Sequence, residues 1–442
     1  MSSRALLRPS RFTNYICDSC LDKAHSSRRD TLLPRLFSTA SSQSCNISPQ
    51  HTPRKRHERR PISLNGARLA EYTHSLPFRP YSTAPAPPQH VAPRSAPLPH
   101  RRLLYLSGPD AAKFLHGLVT NAVDSARLSP FYTAFLDARG RVLWDAFVWV
   151  WPELVAAEGH WACYIEVDER EVELLKRHLK RHKLRSQLAI KDVPANGADG
   201  VRVWAAWGGA HDDVKDWEQI AGLEDPRAPG MYRYIAHAQR DSIAEGAEVV
   251  SAKEYHVQRY IHGIAEGPDD MPRESTLPME ANIDLNRGID FKKGCYLGQE
   301  LTIRTKHTGV VRKRILPVRF YKDNEDTADV DPAFQPQLQP GSDIKTLDDT
   351  GLIKKNRPTG KIIAAIGNVG LATCRLENMT SLRVSAEGGT YKEGMQFGVE
   401  AEGQVVKVQP VLYNWFIKRK EALWDKEAKR TARVVEEQHV DQ

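Results

Sequence analysis

Apolar and polar positions between residues 100 and 264 recur with periods that predict a run of short elements. Leu103–Leu106 is an apolar run of strand length. Ser107 then offers an N-cap and Pro109 a first helical position. Ala112, Phe114, Leu115, Leu118 and Val119 continue as the apolar face of a helix ending near Thr120-Asn121. Residues 131–136 and 141–151 alternate around Asp137-Ala138-Arg139-Gly140, which predicts a β-hairpin. Trp161 to Val167 is a further strand, and Asp168-x-x-Glu171 opens a helix through Val172, Leu175 and Leu179 to about Arg181. Strands are expected at about 186–193, 201–207 and 231–237. Ser251-x-x-Glu254 begins a helix whose apolar face is Val257, Tyr260, Ile261 and Ile264. The order strand, helix, hairpin, strand, helix, strand implies an α+β class with helices on a sheet.

The second half reads differently. Val318-Arg319-Phe320 starts a strand, and 322–358 is a polar stretch with little capacity to form a core, read as an insertion. Short strands with glycine turns come after it at Lys361–Ile366, Gly370–Leu376, Leu382–Val384 and Val405–Val408, the pattern of a small β-barrel over 318–415. Residues 416–442 are charged and read as a terminal helix fading into a tail.

Charge changes the picture at the N-terminus. Residues 1–81 hold fourteen Lys/Arg against five Asp/Glu, a surplus that exceeds the whole-chain net charge of +8 and leaves 82–442 at −1. The basic balance therefore describes the leader, and nucleic-acid binding loses its main support. An Arg- and Ser-rich, acid-poor leader has the composition of a mitochondrial transit peptide, with cleavage expected after Phe37 or Tyr81. Pro-rich 82–100 reads as a linker, and 101–317 as the α+β region. No run of eighteen apolar residues occurs, so no membrane insertion is expected.

Of six cysteines, Cys17, Cys20 and Cys45 lie in the leader, while Cys163 and Cys374 alternate with apolar neighbours and are assigned to core. Cys295 remains, in Lys292-Lys293-Gly294-Cys295-Tyr296-Leu297-Gly298-Gln299-Glu300, with Arg304 beyond it. Flanking glycines predict a tight turn, and nearby cations favour the thiolate, the form that ligates metal. An inert buried cysteine is the alternative. Other clusters take ordinary assignments: His307 a solvated loop residue, Arg312-Lys313-Arg314 a solvated strand edge, Arg177 to His182 an exposed helix face, Trp204 and Trp207 core and rim.

The stretch Lys293-Gly294-Cys295-Tyr296-Leu297-Gly298-Gln299-Glu300 with Arg304 resembles the signature of YgfZ-type proteins, relatives of the glycine-cleavage T-protein aminomethyltransferase. Gly108-Pro109-Asp110-Ala111, the hairpin Ala134 to Arg141, Gly263-Ile264-Ala265-Glu266-Gly267, Leu277-Pro278-Met279-Glu280-Ala281-Asn282 and Gly367-Asn368-Val369-Gly370-Leu371 extend the resemblance over about 100–320 and 359–415. With the leader, it points to the mitochondrial branch, assembly factors for [4Fe-4S] proteins. It implies a T-protein-like ring of three subdomains, two α+β (ferredoxin-like) and a C-terminal small β-barrel, in the mitochondrial matrix. It also implies A-type iron–sulfur scaffolds and apo [4Fe-4S] targets as partners, and Cys295 as a ligand to a transient Fe-S cluster shared with a partner. Lys293 and Arg304 would tune the charge there, and Gln299 and Glu300 would hold the loop. A tetrahydrofolate cavity at Asn121, Asp145, Glu280 and Asn282 is implied as well. The T-protein has an acidic pair where this chain has Trp144-Asp145, and it lacks the cysteine signature in this form. A folate-dependent C1 transferase and a non-catalytic adaptor stay as alternatives.

Overall fold

The computed structural model describes residues 92–210, 220–322 and 330–424, apart from 332, 335 and 336. The leader with its two cleavage candidates, Cys17, Cys20 and Cys45, part of the 322–358 stretch and the tail from 425 lie outside the described residues.

β1 (Arg94–Pro97) falls in the stretch expected to be a linker. Ala96 and Leu98 are fully buried there, so the folded region begins earlier than the proline content suggested. Proline is tolerated because this strand is short and lies near a sheet edge. The chain then builds a first sheet from β2 (Arg101–Ser107), β3 (Phe131–Leu136), β4 (Val142–Trp149), β5 (Ala162–Asp168) and β6 (Ala189–Asp192), in the antiparallel order β3-β4-β5-β2-β6. Between them run α1 (Ala111–His116), α2 (Pro152–Glu158) and α3 (Val172–Lys183). Asp110, not Ser107, holds the N-cap position of α1, without a side-chain cap hydrogen bond, and the helix stops at Gly117, so Leu118 and Val119 reach the core from a turn.

Leu115, Leu175 and Leu179 pack on one face of this sheet with Leu104, Leu106, Cys163, Ile165 and Val148. Each large apolar side chain buried in this way contributes about 1.5–3 kcal/mol. The opposite face, through Leu103, Tyr132, Ala134, Phe147 and Trp149, joins the largest core of the molecule. The sheet is thus covered on both sides. Its strands carry apolar residues at nearly every position for that reason.

β7 (Val201–Trp207), β8 (Ala221–Glu224), β9 (Met231–His237) and β10 (Glu248–Val249) form the second sheet with β1, in the order β10-β1-β7-β9-β8. Trp204 and Trp207 are both buried, so neither is a rim residue. α4 (Ala252–His262) lies between this sheet and the C-terminal barrel. Its Tyr255, Val257, Tyr260 and Ile261 share one core with Val203, Met231 and Ile235 and with Ile315, Val369 and Leu371 of the barrel. Ser251 precedes it without a side-chain cap hydrogen bond, contrary to the capping box expected there. Gly263, at φ 75°, ends the helix where a Cβ would stand 2.5 Å from Pro317 Cδ.

α5 (Gly267–Asp270) and α6 (Gln299–Thr308) lead into a closed barrel of β11 (Lys313–Tyr321), β12 (Asp343–Thr346), β13 (Gly360–Ile366), β14 (Val369–Arg375), β15 (Phe397–Ala401) and β16 (Gln404–Pro410), in the order β11-β14-β13-β12-β15-β16. The stretch expected to be an insertion supplies β12, and Ile344 and Leu347 are buried. Leu382–Val384, expected as a strand, is irregular, because α7 (Leu376–Met379) turns the chain off the barrel wall before it.

α8 (Asn414–Trp424) is the terminal helix expected there, and it clasps the rest of the fold. Phe416 is buried, Arg419 Nη1 donates to Pro226 O (2.6 Å), and Trp424 Nε1 donates to Asp284 Oδ2 (2.7 Å).

Candidate functional site

The signature loop is fastened to the first sheet before it presents its thiol. Lys293 Nζ donates to three backbone carbonyls, His116 O (2.6 Å), Val119 O (2.6 Å) and Asn121 O (2.9 Å), and lies 4.8 Å from the centre of the Tyr296 ring. Burial pulls its pKa down to about 7, with the Asp290 charge acting in the opposite direction. These contacts with the carbonyls behind α1 anchor the loop. Leu297 N donates to Gly117 O (3.0 Å), and Tyr296 N to Gln299 Oε1 (3.2 Å). Tyr296 itself is buried, which pushes its phenol up to about 12.

The two glycines do different work. Gly298 has φ 79° and begins α6, and a Cβ there would fall 2.2 Å from Asp137 O. It meets Gly140, also at φ 79°, whose own Cβ would lie 2.9 Å from Gly298 O. The hairpin turn and the signature therefore touch backbone to backbone, with Asp137 Oδ1 accepting from Arg139 N and Arg141 N to hold the turn. Gly294 needs no positive φ, and a Cβ there would make ordinary contact with His116 Nε2 at 3.5 Å.

Between these anchors Cys295 is exposed, whereas Cys163 and Cys374 are fully buried, as their apolar neighbours implied. Burial raises both core thiols well above their ordinary pKa. Glu300, Arg304 and His307 recur along α6 at the spacing of one helical face and are exposed, while Thr302 turns inward. The stretch after Gly298 is thus helical throughout, and its outer face lies next in sequence to the thiol.

The residues assigned to a folate cavity are placed separately. Asn121 is buried. Its Nδ2 donates to Tyr132 O and Arg287 O (both 2.9 Å), and its Oδ1 accepts from Ala122 N. Asn282, at φ 59°, donates to Ile315 O (2.6 Å) and accepts from Arg314 Nη1 (3.1 Å). Arg314 is no solvated strand edge: it is buried, and both its Nη atoms reach the Asp284 carboxylate at 2.8 Å. Glu280 pairs with Lys313 at 2.8 Å on a cleft of about 630 Å³ that also reaches Asp270, Asp343, Arg357 and Lys361.

Asp145 sits elsewhere, in a buried ionic network that the sequence pattern does not disclose. Its Oδ1 accepts from Gly267 N (3.0 Å), and its Oδ2 stands 3.6 Å from Arg101 Nη2 with no hydrogen bond. Burial raises its pKa, with the Glu266 charge adding to the effect against Arg101 and Arg227. Around it, Glu166 accepts from Arg101 Nε (2.8 Å) and Arg233 Nη2 (2.6 Å). Glu266 Oε2 accepts from Arg227 Nη1 (2.8 Å), Arg233 Nη1 (3.0 Å) and Tyr255 Oη (2.8 Å). Burial pushes the Glu266 carboxyl up, but the guanidiniums of Arg233, Arg101 and Arg227 pull it further down, well below the usual range. A signal exists in Glu166, set between Ile165 and Val167. It faces the side opposite to them, which would be solvent in a one-sided sheet and is core here.

A family model described as the C-terminal β-barrel domain of CAF17 matches residues 312–415, the span from β11 to just past β16. An iron–sulfur cluster assembly factor IBA57 homolog, mitochondrial, of Phaeosphaeria nodorum is 62% identical over 391 residues, covering 88% of this chain and 96% of that one. The protein of the same description in Aspergillus fumigatus is 38% identical over 377 residues, covering 76% and 82%. Among solved structures, the glycine cleavage system aminomethyltransferase T from Bartonella henselae superposes with a TM-score of 0.51 over 75% of this chain and 88% of that one. At 13% identity, that likeness speaks for the fold alone. The identities with the two fungal proteins, over most of both lengths, show that the chain belongs to the IBA57 family of mitochondrial iron–sulfur cluster assembly factors.

Proposed function

We propose that this chain serves the assembly of [4Fe-4S] proteins in the mitochondrial matrix by lending Cys295 to a cluster held jointly with an A-type scaffold protein. The cluster is cargo, passed on to apo targets of the aconitase and radical-SAM (lipoate-synthesis) classes. The observation that carries this reading is the exposure of Cys295 on a loop anchored by Lys293, Leu297 and Gly298, with the other two described thiols sealed in cores. A [2Fe-2S] or [4Fe-4S] centre normally takes four protein ligands, mostly thiolates. One thiolate at a fixed loop supplies a fraction of that set, and a partner's cysteines supply the rest. Glu300 and Arg304, exposed on α6, offer charged contacts to that partner.

The test is anaerobic mixing of the chain with an A-type scaffold and a [2Fe-2S] source, followed by ultraviolet–visible spectroscopy. Cys295→Ala should lose the shared-cluster spectrum while keeping the wild-type unfolding midpoint, because the side chain is exposed. In cells the same variant should lower lipoylation and aconitase activity. A variant that forms and stabilises the cluster as well as wild type would remove the ligand role and leave the adaptor reading.

Tetrahydrofolate binding rests on Asp145, the buried acid with an acceptor oxygen left open. Asn121 and Asn282 have their amides engaged by protein groups, so the proposed cavity fits a pterin poorly and no transfer step is derived through it. Titration with tetrahydrofolate tests the point. Saturable binding lost in Asp145→Asn would support a folate site, and no binding would remove both cofactor and transferase.

A further inference from the structure

Residues 176–185 hold six Lys/Arg and no Asp/Glu, in a chain that is near neutral beyond its leader. They form the end of α3 and the turn after it. Leu175 and Leu179 face the core, so Arg177, Lys180, Arg181 and position 184 fall on the outer face at helical spacing. Leu184 is 88% exposed, far more than any other large apolar side chain described.

Its backbone adds a second, independent observation. Ser186 N donates to Lys183 O (2.8 Å), closing a turn in which Leu184 is the first central residue, at φ 44° and ψ −112°. That is the conformation glycine takes in type II′ turns, and a branched side chain is strained in it. A large apolar group is therefore held at a turn tip, in water, where glycine would fit the backbone better. Across from it lie Lys113 and Phe114 of α1, which with Asp110, Leu184, Arg185 and Ser186 line a shallow depression of about 670 Å³. Among the described residues, none of Lys113, Lys180, Arg181, Lys183 and Arg185 enters an ion pair. Lys176 pairs with Glu173 and Asp192, and Asp110, the acid that lines the depression, accepts from Gln187 N (2.7 Å).

We propose that this face docks on an anionic lipid surface, with Leu184 entering the headgroup region and the surrounding cations meeting lipid phosphates. A ring of Lys/Arg around a protruding apolar side chain is the composition of an interfacial anchor: charge supplies attraction and the apolar group supplies depth. An acidic protein surface would satisfy the cations but would give the strained leucine no reason to protrude. The docking is peripheral and agrees with the finding that no described helix is long and apolar enough to cross a membrane. His116 and Gly117, at the other end of α1, touch the signature loop, so the docked face adjoins the Cys295 region without using the thiol.

The test is co-sedimentation of the full chain with phosphatidylcholine vesicles that contain or lack cardiolipin, at low and at physiological salt. Wild type and variants share the leader, so differences between them report the patch. The triple variant Lys180→Glu/Arg181→Glu/Arg185→Glu should partition onto cardiolipin vesicles more than about tenfold less than wild type. Leu184→Gly should bind less while unfolding at the same or a higher temperature, since it relieves the turn. A leucine that merely packs would show the reverse. Equal partition of the triple variant and wild type overturns the proposal, as does unchanged vesicle binding in Leu184→Gly. Retention on an acidic protein matrix without any preference for cardiolipin would reassign the face to a protein partner.

Discussion

Gly298 and Gly294 flank the same thiol, yet substitution should separate them sharply. Alanine at 298 must hold φ 79° and place a Cβ 2.2 Å from Asp137 O, a backbone atom that can withdraw only by opening the hairpin turn. The expected loss for Gly298→Ala is about 2–4 kcal/mol. Gly294→Ala meets a side-chain nitrogen at 3.5 Å and should stay within about 0.5 kcal/mol of wild type by urea unfolding. Lys293 is the other anchor. Lys293→Met keeps the buried stem but leaves three carbonyls without their donor, an expected loss of about 1–3 kcal/mol. Its specific signature is faster hydrogen exchange at the Leu297 amide, whose acceptor Gly117 O lies in the same segment. If that amide stays as protected as in wild type, Lys293 is not what fastens the loop. The motif and its glycines are legible in the sequence. Which glycine is compelled is not, because that depends on a turn some 160 residues away.

At the scale of elements, α3 shows how a charged helix face can hide a titrating group. Spacing groups His178 with the exposed cations, but it packs edge-on against Trp144 at 5.2 Å and lies 4.3 Å from His182. Burial, helped by the charges of His182 and Arg181, lowers its pKa to about 4. The folded state therefore prefers the neutral ring, while the unfolded chain takes up a proton near the ordinary value of 6.5. Stability from this residue is complete above pH 6.5 and is lost as pH falls towards 4. His178→Phe should flatten that part of the pH–stability curve, measured by thermal unfolding across the window, and an unchanged slope would place the acid sensitivity elsewhere. The same helix explains what is legible in advance. Leu175 and Leu179 at helical spacing mark its inner face, and the alternation over 131–149 marks the hairpin it packs on. β12 escapes such a reading because Asp343–Thr346 alternates in only four residues within a polar stretch, and its partners lie on β13 and β15. α8 is only half legible, since its holding contacts are to Pro226 O and Asp284, distant in sequence.

Across the whole molecule, the two sheets and α4 meet on charge as well as on apolar surface. Arg101, Asp145 and Glu166 come from the first sheet, Arg233 from the second, Arg227 from the turn before it, and Tyr255 from α4, while Glu266 lies just past that helix. Such a network is weak evidence of net stabilisation, because desolvating each ion costs several kcal/mol. Removing one member is another matter. Glu266→Gln keeps the shape and one acceptor oxygen but takes away a charge that faces Arg227 at 2.8 Å and Arg233 at 3.0 Å, both fully buried. Arg227 would retain Asp225 and Arg233 would retain Glu166, but the site is left short of one negative charge. The expected cost is about 3–5 kcal/mol in urea unfolding. Glu280→Gln removes an acid from a pair of similar length, 2.8 Å to Lys313, but that pair is partly open to solvent and should cost no more than about 1 kcal/mol. The contrast matters more than either value, because both substitutions delete one carboxylate charge and differ chiefly in burial. Similar losses in the two variants would show that the central network is as well screened as the surface pair. The union of the sheets would then rest on the shared apolar core of Phe147, Trp149, Tyr255 and Ile235.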